Sequence, residues 1–312
     1  MATILITGGS GMIGKAITKA LLEKDHRVII LSRDPVKERS ESKPEPRVTF
    51  ALWNVNDQTI DVNAISSADH IIHLAGAGVA DKRWTKKRKQ EIVDSRVKSG
   101  ELIVRTLAAV PHHVRTIVSA SAIGWYGPDP VVPNPRPFSE EDPAFTDFLG
   151  RACKQWENAI EPVAKSGIRL VKVRTGIVLS DEGGALHEFE KPLNAGIAAV
   201  LSKGRQVISW IHIDDLVRIY IAAIENETMN GVYNAVAPHP VSNKTFTLQL
   251  AAIKRGKFFI PLHVPSIVLK LALGEMSIEV LKSTTVSSAK LHLEGFEFLY
   301  SSSEAALKSL VK

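Results

Sequence analysis

Three glycines stand at intervals of three in Thr7-Gly8-Gly9-Ser10-Gly11-Met12-Ile13-Gly14. The first permits a tight turn, the second lets backbone approach a pyrophosphate, and the third lets a helix pack on a strand. Such a turn ahead of a helix offers free N–H groups and the positive end of the helix dipole to phosphates. Thr7, Gly8, Gly9, Ser10, Gly11, Met12, Ile13 and Gly14 are therefore candidate dinucleotide contacts. Nineteen residues beyond Gly14 the chain reads Ser32-Arg33-Asp34. An acidic residue near this place reads the ribose 2′-hydroxyl of NAD. Arg33 instead suits the 2′-phosphate of NADP, with Ser32 as a second donor. Asp34 is one residue late, and a shift by one would put a carboxylate at the ribose.

A second group of polar side chains follows later strands. Leu74, Ala75 and Gly76, after His73, form a small-residue passage close to the cofactor, and Ser119 ends the next strand. Ser121 and Tyr126 are the candidates for acid/base work. Trp125, Arg174, Arg205, Trp210 and His212 are candidate substrate contacts, with Arg174 and Arg205 suited to an anion. His212 precedes Asp214 and Asp215, either of which is expected to cap the following helix. Cys153 is the only cysteine, so an intramolecular disulfide and a Cys₄ or Cys₂His₂ zinc site are excluded. No metal site is expected.

The elements that must position these residues alternate. Apolar, β-branched runs at 3–7, 27–31, 48–53, 70–74, 116–119 and 168–173 read as strands. Helical spacing follows Gly14, and helices are expected near 86–108 and 147–165. Repeated strand–helix–strand units imply a doubly wound parallel sheet of the Rossmann type. Residues 34–47, charged and proline-bearing, read as a surface loop. Residues 127–144, with six prolines, leave no room for a long helix or central strand. Further helices are expected at 188–200, 245–255, 265–274 and 303–311. The expected division is a dinucleotide-binding domain over 1–175, rejoined by about 205–235, and a smaller C-terminal α/β substrate lobe over 176–312.

Composition narrows the partners. Lys and Arg exceed Asp and Glu by 39 to 33, and 45% of residues are apolar, which fits a globular chain. No apolar run reaches the length of a membrane span, and neither a leader nor an oxidising compartment is indicated, so the cytoplasm is expected. Lys82 to Lys89 hold six cations in eight positions. They read as a solvated helix start rather than a nucleic-acid site, since no RNA-binding aromatic motif accompanies them.

The glycine turn, His73-Leu74-Ala75-Gly76, and Ser119-Ala120-Ser121 before Tyr126-Gly127 resemble the extended short-chain dehydrogenase/reductase superfamily. Arg83-Trp84-Thr85, Ser95-Arg96-Val97, Trp156-Glu157, Trp210-Ile211-His212, Tyr233-Asn234-Ala235 and Gly295-Phe296-Glu297-Phe298 resemble its atypical, epimerase-like branch. The resemblance implies NADP(H), preferred over NAD(H), and oxidoreductase or epimerase chemistry on a small molecule by nicotinamide hydride transfer. It implies a monomer or homodimer. The superfamily's acid/base pair is a YxxxK tyrosine and lysine, and those places align with Leu149 and Cys153. Leucine can neither give nor take a proton. A dinucleotide-binding sensor without turnover, and more distantly an RNA-binding protein, are the other readings.

Overall fold

The computed structural model describes residues 1–311. Its first half builds β1 (Thr3–Thr7), α1 (Met12–Glu23), β2 (Arg27–Ser32), α2 (Pro35–Glu41), β3 (Val48–Asn54), β4 (Thr59–Ile60), α3 (Val62–Ser66), β5 (His70–His73), α4 (Lys86–Ala109), β6 (Thr116–Ala122), α5 (Phe148–Ile160) and β7 (Arg169–Thr175). After these come β8 (Ile177–Ser180), β9 (Gly183–Gly184), α6 (Ala185–Asn194), β10 (Ile197–Leu201), β11 (Val207–Ile208), β12 (Trp210–His212), α7 (Ile213–Glu225) and β13 (Gly231–Ala235). The chain finishes with β14 (Val241–Ser242), α8 (Asn243–Arg255), β15 (Ile260–Val264), α9 (Ser266–Leu273), α10 (Ser277–Leu281), α11 (Ala289–Leu293) and α12 (Ser303–Leu310).

One eight-stranded sheet runs in the order β13-β7-β6-β5-β1-β2-β3-β4, parallel except for β3–β4. Strand alternation explains its two cores. Ile4 and Ile6 point to the face covered by α1 and α7, where they meet Ile17, Leu216 and Tyr220. Leu5 points to the face covered by α3, α4 and α5, among Ile65, Leu102, Ile103 and Ile160. A parallel sheet needs both faces covered, and its strands are buried accordingly. The strand order reverses between β1 and β5, which creates a crevice at the carboxyl ends of those strands.

A third core, with Trp210, Phe246, Leu250 and Leu307, joins α6, α8 and α12 to the strands between them. Here β12 pairs with β8, β10 with β15 and β11 with β14. The chain returns to the main sheet at β13, which pairs with β7. Among the described residues no helix is long and apolar enough to cross a membrane.

Two sequence expectations need correction. Residues 34–47 are not all loop, because α2 forms there. Pro35 occupies the first turn, where its missing N–H costs nothing, and the Asp34 carboxylate accepts from the Lys37 backbone N–H. The helix expected at 188–200 ends at Asn194. Gly196 takes φ +76°, and the chain reverses into β10. The stretch 127–144 is irregular, as its prolines require. It is held by C-terminal residues: Asp129 accepts from Ser283 and Thr285, and Phe138 bridges Val286.

Candidate functional site

The glycine turn leaves β1 at the reversal point. Gly8 has φ +70°, open to glycine at no cost. A Cβ on Gly14 would strike the Gly8 carbonyl oxygen and lie 2.6 Å from Gly9 Cα. Both neighbours are backbone, so no side chain fits there. Gly11 is the N-cap of α1, and no side chain caps that end. The first N–H groups of a twelve-residue helix are therefore left for an external acceptor, and Ser10 and Gly11 beside them are exposed.

Thr7 serves this turn from inside. Its hydroxyl oxygen accepts from the backbone N–H of Leu74 (3.0 Å) and Ala75 (3.1 Å), and it lies 2.8 Å from His73 Nδ1. Two accepted bonds use both lone pairs, so the hydroxyl proton goes to Nδ1. The neutral ring then carries its proton on Nε2, facing Ser99 Oγ at 3.3 Å. Burial, reinforced by the Arg96 charge, lowers the pKa of His73 to about 4. This chain of bonds draws Leu74 and Ala75 against the turn, where a Cβ on Gly8 would sit 3.2 Å from Ala75 N.

At the end of β2, Arg33 and Asp34 are exposed, whereas Ser32 is buried. Ser32 Oγ accepts from Asp34 N–H, which leaves the hydroxyl proton to donate elsewhere. The Asp34 carboxylate is engaged as the α2 cap.

Beyond the ends of β6 and β7 lies a cavity of about 280 Å³. Its walls include Ala122, Gly124, Leu149, Cys153 and Trp156 from the sheet and α5, Arg96 from α4, and Glu279 and Lys282 from the α10 region. Leu149 and Cys153 thus come together on one wall. Burial pushes the Cys153 thiol up to about 12, so it stays protonated and unreactive near neutrality. Cys153→Ser should change any turnover less than tenfold, about 1.4 kcal/mol in the barrier, as steady-state kinetics would measure. Burial raises the Glu279 carboxyl above its ordinary pKa, against the opposing pull of Lys282. Lys282 Nζ reaches Glu279 at 2.8 Å, Asp147 at 3.4 Å and the Tyr126 carbonyl at 3.3 Å.

Ser121, Trp125, Tyr126 and Arg174 are gathered into a separate buried network. Arg174 donates to both oxygens of Glu157, at 2.8 and 3.1 Å, and Ser121 donates to Glu157 Oε1 at 2.7 Å. Arg174 also donates to Tyr126 Oη, which donates onward to Asn234 Oδ1. The guanidinium stacks on Trp125 at 3.6 Å. Burial pushes the Tyr126 phenol up to about 12. None of these four side chains lines the cavity. Ser119 is buried within β6.

The remaining candidates are dispersed. Arg205 is exposed beside Val132, Gly204 and His263. Trp210 is fully buried in the C-terminal core, its indole N–H donating to the His239 carbonyl. His212 is itself the cap of α7, accepting from Asp214 N–H, and it stacks on Tyr300. Asp215, expected as a capping residue, is buried and accepts from the backbone of Leu299 and Tyr300. The basic run is partly consumed inside the chain. Arg88 is buried and paired with Glu91, Arg83 donates to the Leu271 carbonyl, and Lys89 pairs with Glu275. Sequence reading missed the Glu279–Lys282 wall. The signal was an i,i+3 charge pair, Glu279 and Lys282, at the end of the largely apolar stretch that starts at Ser266.

Comparison with known proteins covers the chain from end to end. The model of the NAD dependent epimerase/dehydratase family matches residues 4–235, and a domain of unknown function, DUF1731, matches 264–310. Epimerase family protein SSP1921 of Staphylococcus saprophyticus is 36% identical, with 100% of each chain covered. Epimerase family protein YfhF of Bacillus subtilis is 32% identical, covering 99% of this chain and 97% of its own. The crystal structure of human epimerase family protein SDR39U1 with NADPH superimposes with a TM-score of 0.84 at 27% identity, over 99% of this chain and 98% of that one. A nucleoside-diphosphate sugar epimerase from Corynebacterium glutamicum gives 0.76 at 31% identity, over 99% of this chain and 58% of the other.

Proposed function

This chain belongs to the NAD dependent epimerase/dehydratase family, and from that premise we propose that it is an NADP(H)-dependent oxidoreductase or epimerase acting on a small molecule. The observation that carries the reading is the uncapped α1 N-terminus on a turn whose Gly14 admits no Cβ, beside a cavity at the same end of the sheet. Residues 1–175, with about 205–235, would hold the dinucleotide, and the C-terminal lobe would close over the substrate. The turn and α1 would hold the diphosphate, Leu74 to Gly76 would pass beside it, and Ser32 and Arg33 would hold the 2′-phosphate. When bound, the nicotinamide supplies hydride transfer.

The chain's own part is to orient the substrate and manage its proton. Ser121 and Tyr126 lie in the buried network, and their contribution is to position β6 and its outgoing loop. Leu149 and Cys153 facing the cavity also favour a second reading, a dinucleotide-loaded sensor without turnover. Oxidation of NADPH by members of a panel of small carbonyl compounds would support the enzyme. Tight NADPH binding with no oxidation across the panel would support the sensor.

Cofactor choice is testable directly. Charge-assisted bonds from Arg33 to a 2′-phosphate are worth about 1.5–3 kcal/mol. NADPH should therefore bind about 10–100-fold tighter than NADH. Arg33→Ala should remove most of that preference and leave NADH affinity unchanged, in calorimetric titrations at one stated salt concentration. Equal affinities in the unmodified protein would place Asp34 at the ribose instead.

A further inference from the structure

Arg96 stands on the cavity wall without a counter-charge. Its Nη1 donates to the carbonyls of Ala77 and Ile92, both at 2.9 Å, and its guanidinium lies over the Trp156 ring at 4.8 Å. Among the described residues no carboxylate comes within ion-pairing distance of it. Nε and Nη2, the rest of its donor fork, have no partner there either. Burial acts against its charge, lowering its pKa. Arg96 is half-buried, and a cation partly withdrawn from water is ordinarily paired with an anion.

Trp156, on the same wall, carries a further donor. Trp156 is buried, and its indole N–H has no hydrogen-bond partner. Lys282 is matched by Glu279. Asp147 pairs with Lys282 as well, which leaves Arg96 as the lining cation without a carboxylate. The rest of the wall is mostly apolar or small, including Val79, Ile92, Ala122, Ile123, Leu149 and Ala152, with the hydroxyl side chains of Thr175, Ser209 and Thr284 among them.

We propose that this cavity is an anion site, in which Arg96 holds the carboxylate or phosphoryl group of a small, largely apolar organic substrate. A guanidinium with its Nε–Nη2 edge free suits bidentate contact with either group. A volume of about 280 Å³ admits a small molecule. The proposal rests on the dinucleotide reading only for the word substrate. The anion site itself can be tested apart from it.

The experiment titrates malonate, and separately inorganic phosphate, into protein with and without saturating NADPH, by calorimetry. Saturable binding of one of them is expected, and which one binds names the group. Arg96→Gln should weaken it tenfold or more, Arg96→Lys should retain part of it, and NADPH affinity should stay within about threefold. Should Arg96→Gln fail to fold, Trp156→Phe, which removes the unpartnered N–H and trims the ring beneath the guanidinium, should weaken the same anion severalfold. No saturable binding of either anion overturns the proposal. So does unchanged binding in the Gln variant, or equal loss of NADPH and anion, which would make Arg96 a cofactor contact. Arg96-dependent anion binding in a protein that ignores NADPH would keep the site and sink the dinucleotide reading.

Discussion

Glu157→Ala should lower the unfolding free energy by about 3–5 kcal/mol, the range for removing one partner of a buried ion pair. Glu157 and Arg174 are both nearly inaccessible, with side-chain exposures of 5% and 3%. Alanine would leave the guanidinium without its carboxylate and the Ser121 hydroxyl without its acceptor. The midpoint of thermal unfolding should fall by about 6–10 °C. Replacing both partners, as Glu157→Leu with Arg174→Met, should recover much of the loss, because no charge is then stranded. Chemical denaturation of the two variants and the unmodified protein checks this. A loss below 1 kcal/mol in Glu157→Ala would mean that water reaches Arg174 and solvates it.

That network illustrates what a sequence conceals. The strands around Ile4 to Ile6, Val28 to Leu31 and Ile71 to Ile72 were legible because apolar runs bounded by turns have few alternatives. The glycine turn was legible because its spacing sits between a strand and a helix. The Asp34-Pro35 start of α2 was present in the sequence too, but the charges around it masked it. Glu157 and Arg174 are 17 residues apart on a helix and a strand, and only their packing makes them partners. Ser121 looked free for the same reason. Arg96 was noted merely as part of Ser95-Arg96-Val97. Its isolation from carboxylates depends on every element packed around it.

The second large effect concerns acid. His73 is fully buried and neutral, with a pKa of about 4 in the folded protein against about 6.5 when unfolded. Between those values the unfolded chain binds a proton that the folded chain refuses. Stability is therefore whole above pH 6.5 and falls as the pH drops toward 4, by about 3 kcal/mol in all from this ring. His70, lowered to about 4 mainly by burial, acts in the same direction. The informative quantity is thus the difference between the unmodified protein and His73→Gln. Urea unfolding at a series of pH values should give a slope shallower by about one proton in the variant. Identical slopes would show that the ring is already charged inside the fold.

The cavity has one further consequence, for the order in which a growing chain acquires its parts. The last strand of the main sheet, β13, ends at Ala235, and the glycine turn is complete long before it. The wall made by Glu279 and Lys282 is synthesised later, and it docks through Lys282 onto Asp147 and the Tyr126 carbonyl, with Lys89 and Arg83 gripping Glu275 and the Leu271 carbonyl. At about 5–20 residues per second, the ribosome takes several seconds to cover that stretch. The nascent protein in that interval has its glycine turn but no closed chamber beside it. On the proposed reading, the dinucleotide end of the molecule would be open to its ligand before the chamber closes.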